Sequence, residues 1–116
     1  MKMATVRRFA LSLPEVTEEP HFDKSSFRVA GRIFATVPPG GRYLHVFVNE
    51  DQRDLMVSAE PKTYERLSWG KKVVGLRVAL SRARSGDVKE LLQSAWQEKA
   101  PKGLLRSEAR DRKARG

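Results

Sequence analysis

The chain contains no cysteine. That excludes a disulfide framework, thiol catalysis and cysteine-rich zinc sites. Histidine is scarce, with only His21 and His45, which leaves little for a metal or general-base constellation. No apolar run approaches the roughly 18 residues of a membrane span. Residues 1–10 are basic and then amphipathic, without the continuous apolar stretch of a secretory signal peptide. Gly70-Lys71-Lys72 lacks the upstream glycine of a phosphate-binding loop, and no serine sits in a nucleophile elbow. These absences assign no catalytic residue, no metal ligand and no cofactor. The expectation is a soluble, cytoplasmic, non-enzymatic protein with no membrane partner.

What the sequence has in excess is positive charge. Lys and Arg number 23 against 14 Asp and Glu, for a net +9 over 116 residues, which points toward polyanionic partners. The excess is localised. Residues 62–84 hold Lys62, Arg66, Lys71, Lys72, Arg77, Arg82 and Arg84 against Glu65 alone. Residues 99–116 carry a second basic surplus. Hydrophobic residues make up 40% of the chain, enough for one core, and the length suits one domain. That domain is expected over residues 1–105, followed by a basic, flexible tail at 106–116 with little apolar content.

Local patterns predict the elements in the order α-β-β-β-α-β-α. Met3, Val6, Phe9, Ala10 and Leu13 recur at helical spacing until Pro14, predicting a helix near 4–13. Residues 15–23, acidic and interrupted by Pro20, read as a loop. Strands are predicted at 27–29, 32–37, 42–48 and 72–80, with Ala30-Gly31 and Pro38-Pro39-Gly40-Gly41 as turns. Asn49 and Gln52 have capping-box spacing before a helix to about Ala59, with Leu55, Met56 and Ala59 inward. Residues 61–67 read as a short further turn of helix. Val88, Leu91, Leu92, Ala95 and Trp96 share one face of a helix at 87–99, capped by Asp87 or Ser85. Trp69 and Trp96 are both expected in or near the core.

Hairpin-linked strands between helices imply an α+β fold, a single antiparallel β-sheet with the helices packed on one face. Alternation places Ile33, Ala35, Val37, Leu44, Val46, Val48, Val74, Leu76, Val78 and Leu80 against the helices. The other face then carries Phe34, Thr36, Tyr43, His45, Phe47, Val73, Arg77 and Arg28. Phe34, Tyr43 and Phe47 are candidate base-stacking residues among basic neighbours.

Several segments occur in a telling order: Leu13-Pro14-Glu15-Val16, residues 26–35 (SFRVAGRIFA), Ala59-Glu60-Pro61-Lys62-Thr63-Tyr64, Gly70-Lys71-Lys72, Ala95-Trp96 and Ala100-Pro101-Lys102. Together they resemble the MmcQ/YjbR family over roughly residues 4 to 105. The resemblance implies a frataxin-like (CyaY-like) α+β fold and a "double-wing" use of the hairpins in DNA binding. It implies no reaction. The chain departs from the family on the strand after Lys72, where members often carry a tryptophan and this sequence has Gly75-Leu76.

Arg28 and Arg32 flank the first turn, and Arg42 follows Gly40-Gly41. With Lys71, Lys72 and Arg77 they are the candidate phosphate contacts, since arginine can grip phosphate oxygens bidentately. The expected partner is nucleic acid, DNA ahead of RNA. The alternative is a module that sequesters a small molecule or a metal. Its motivation is the oxygen-rich cluster Glu15, Glu18, Glu19, His21 and Asp23, which reads more simply as a solvated loop.

Overall fold

The computed structural model describes residues 1–106. Hairpins dictate the topology. The elements are α1 (Met3–Ser12), β1 (Val16–His21), β2 (Lys24–Val29), β3 (Arg32–Val37), β4 (Tyr43–Val46), α2 (Glu50–Ala59), β5 (Tyr64–Trp69), β6 (Lys72–Ala79) and α3 (Ser85–Lys99). One six-stranded sheet runs in the order β1-β2-β3-β4-β6-β5, and every neighbouring pair is antiparallel. The α+β class with a single antiparallel sheet is as expected.

Two strands were read differently from the sequence. Residues 16–21 are not loop but β1, paired along its length with β2. Pro20 fits there because β1 is an edge strand, where a missing N–H costs no ladder bond. Residues 64–69 are not helical but form β5, the opposite edge, joined to β6 through a tight turn at Gly70-Lys71. Gly70 supplies the positive φ of 59° that such a turn requires.

The core lies between one sheet face and the helices. Phe27, Leu44, Val46, Leu76 and Val78 from the sheet meet Val6 and Ala10 of α1 and Val88, Leu91, Leu92, Ala95 and Trp96 of α3, all buried. Trp96 is fixed by direction as well as burial, its indole N–H donating to the Pro14 carbonyl at 3.0 Å. Truncating it to alanine would cost about 3–5 kcal/mol. Around the core rim, Arg7 donates to both Glu18 oxygens at 2.8 and 3.0 Å. Ser25 adds a bond at 2.6 Å. The Arg7 bonds, reinforced by Ser25, hold the Glu18 carboxyl below the usual carboxylate range. On the same side, Arg66 of β5 reaches Asp54 of α2 at 3.1 Å.

The predicted side-chain alternation holds except at two bulges. In β3 the register passes from Phe27↔Ala35 to Arg28↔Ile33, leaving Phe34 as the extra residue. Phe34 therefore turns into the core beside Phe27, with ring centroids 6.5 Å apart. Ile33 takes Arg28 as its partner, on the face away from the helices. In β6 the register passes from Leu67↔Gly75 to Ser68↔Val73, so Val74 is skipped and lies only half-buried. The expected core placement of Ile33 and Val74, and the outer placement of Phe34, are corrected accordingly.

The helices also depart in detail. Asn49 caps α2 by accepting the Gln52 N–H at 2.9 Å, as its spacing predicts. Leu55, however, is 66% exposed, and Met56 and Val57 are the residues that pack inward. The N-cap of α3 is Arg84 without a side-chain cap bond, rather than Ser85 or Asp87. Trp69 is 63% exposed, not core. Of the predicted tail, Arg106 closes a helical stretch at 102–106, and residues 107–116 lie outside the described residues.

Candidate nucleic-acid interface

The face of the sheet turned away from the helices is built by register. A single row crosses all six strands: Glu19, Ser26, Thr36, His45, Arg77 and Glu65. Its acids sit on the two edge strands and its base and cation sit at the centre. Arg77 lies over the Tyr43 ring at 3.9 Å and approaches Glu65 at 3.4 Å. Arg28 is drawn toward β1, donating to Ser26 Oγ at 2.9 Å and to the Pro20 carbonyl at 3.2 Å.

His45 is half-buried in this row. Burial, with Arg77 and Lys24 nearby, pushes its pKa down to about 4, so the ring is neutral at pH 7. Its Nε2 is buried with no hydrogen-bond partner among the described residues.

Next to His45 the sheet forms a hollow of about 730 Å³. Phe22, Phe47 and Trp69 bring three aromatic rings to it; Lys24, Lys72 and Lys99 bring three ammonium groups, and no lining residue is a carboxylate. Phe47 and Trp69 pack edge to face with centroids 6.1 Å apart. The arrangement depends on Gly75. A Cβ there would lie 2.6 Å from the Val46 carbonyl oxygen and 3.0 Å from the Phe47 ring. Glycine thus lets Phe47 lie across β6, and Trp69 leans on Phe47. Where the family resemblance leads one to expect a strand tryptophan, this chain brings its aromatics from neighbouring segments.

The predicted contacts divide among three places. Lys72 borders the hollow, with Lys71 beside it in the β5–β6 turn. Arg28, Tyr43 and Arg77 lie on the same face, outside the hollow, and Phe47 lies within it. Arg32 is at the β2–β3 turn, its guanidinium 3.5 Å from the Lys99 carbonyl. Arg42 is at the opposite end of the sheet. Phe34 is excluded from any stacking role by its burial. Sequence reading placed His45 on this face but did not single out Phe22, Lys24, Trp69 or Lys99, which line the hollow. Two had a local signal, since each is an aromatic at a hairpin tip: Phe22 follows His21, and Trp69 precedes Gly70-Lys71.

The acidic cluster is engaged elsewhere. Glu18 binds Arg7 and Ser25, Glu19 accepts from Thr17, and Asp23 lies 3.4 Å from Lys24. Among the described residues no group of three His, Asp or Glu side chains converges as a metal site. No helix among them is long and apolar enough to cross a membrane.

Fold and face together define a class: a small α+β protein with one sheet face covered by helices and the other left basic and aromatic. The chain matches the YjbR family over residues 11–98 and belongs to that family. No curated protein and no solved structure matches the chain.

Proposed function

We propose that the protein is a non-enzymatic nucleic-acid-binding protein, DNA ahead of RNA, and that it receives unpaired bases in the hollow beside His45. One observation carries this reading: three aromatic rings and three lysines line one hollow whose lining holds no carboxylate, and only Lys24 of the three meets an acid, Asp23. Aromatic rings stack bases regardless of sequence, at about 1–3 kcal/mol per base. Lysines around them neutralise the connecting phosphates. Arg32, paired in register with buried Val29, and Arg42, just before β4, stand at opposite ends of the sheet and do not line the hollow.

Trp69 is the test residue. An unpaired oligonucleotide should quench the exposed Trp69 fluorescence on binding. Trp69→Ala should remove that quenching and weaken binding by about 1–3 kcal/mol. Unchanged affinity in the variant would remove the hollow from the interface.

A further inference from the structure

A second concavity, of about 850 Å³, opens at the other end of the sheet, bordered by the turn before β4, the start of β5 and the residues after β6. Lys2, Arg42, Lys62 and Arg82 line it, with Arg77 and Tyr43 alongside. Its one carboxylate is Glu65, already 3.4 Å from Arg77. Among the described residues, Lys2, Arg42, Lys62 and Arg82 form no ion pair, whereas Arg7, Arg53 and Arg66 each meet an acid. Four cations without an ion pair thus border one cleft, whose one lining carboxylate already faces Arg77. Gathering like charges opposes folding unless a counter-charge arrives.

We propose that this cleft binds a phosphate monoester. A monoester concentrates close to two negative charges and three acceptor oxygens on one centre, which matches cations converging on a cleft better than the single charge of each diester along a strand. Arg42 and Arg82 supply planar donor forks for paired oxygens, and Lys62 a point charge. The ligand chemistry is shared by a free mononucleotide and by the phosphorylated end of a strand. The inference does not rest on the hollow beside His45, because Lys62 and Arg82 do not line it.

The test is calorimetry on the full chain with adenosine 5′-monophosphate, adenosine and inorganic phosphate, with Lys62→Ala/Arg82→Ala as the variant. Both side chains are exposed, so unchanged far-UV circular dichroism is expected. The monophosphate and phosphate should bind and adenosine should not, and the variant should lose about tenfold or more in affinity. Glu65→Gln, which removes the one opposing carboxylate, should tighten binding severalfold. An oligonucleotide with a 5′-phosphate that outcompetes its 5′-hydroxyl counterpart only on the unmodified protein would assign the site to strand ends. Equal affinity of the two oligonucleotides, with the monophosphate still bound, would assign it to free nucleotides. Monophosphate binding that is absent, or identical in the variant, overturns the proposal. Binding of unphosphorylated single strands should be the same in both proteins, which separates this site from the stacking hollow.

Discussion

Phe22 is 92% exposed at the tip of the β1–β2 hairpin and holds a φ of 57°. A bulky residue in the left-handed region costs about 1–2 kcal/mol, and nothing is recovered by burying this ring. Asparagine tolerates that conformation far better. Phe22→Asn is therefore expected to raise stability by about 1 kcal/mol in urea unfolding while weakening oligonucleotide binding, a trade expected where a strained residue serves a site. His45 gives a second prediction. Its folded pKa of about 4 lies below the ordinary 6.5, so the unfolded chain binds the proton more readily. The resulting stability is present above pH 6.5 and lost as pH falls toward 4. Between pH 7.5 and pH 5 this amounts to about 2 kcal/mol. Urea midpoints across that range should show the loss in the unmodified protein and much less of it in His45→Gln.

At the level of elements, what was legible in the sequence depended on periodicity. Helix α2 and strand β3 end where Asn49, Ala59, Arg32 and Val37 predict, because caps, prolines and turn residues act locally. Strands β1 and β5 were missed because both are edges. Their alternation is diluted by Glu18, Glu19, Glu65 and Arg66, and an edge strand has only one neighbour to select its residues. The face of Phe34 was unreadable for a different reason. A bulge inserts one residue into a period of two, and only the partner strand reveals it. The hollow was legible in part: Lys72 and Phe47, singled out from the sequence, line it, while Trp69 was assigned to the core because aromatics at turns and in cores look alike in one dimension. Gly75 shows how closely an element can depend on one position. Gly75→Ala should push Phe47 off β6 and cost about 1–3 kcal/mol by overpacking. The change should also alter the Trp69 emission, and an unperturbed emission with full stability would contradict the packing described for the hollow.

Across the whole molecule, the basic surplus of residues 62–84 separates into distinct duties. Arg66 is paired with Asp54 on the helix side, Lys62 and Arg82 border the cleft, and Lys71 and Lys72 stand at the far hairpin. A sequence window merges these sites; the β5–β6 hairpin sends them to opposite ends. The YjbR family match at residues 11–98 covers every strand of the sheet and most of α3. The central claim is that the open face engages a polyanion through a definable set of lysines. Its most direct test is the affinity for a single-stranded oligonucleotide as a function of salt. With Lys24, Lys71, Lys72 and Lys99 making about four phosphate contacts, log K should fall against log salt with a slope of about −3. Changing Lys71 and Lys72 to Ala should flatten the slope by about 1.5. No binding at ~50 mM salt, where such attraction is near its strongest, or a slope unmoved by the double substitution, would contradict the account.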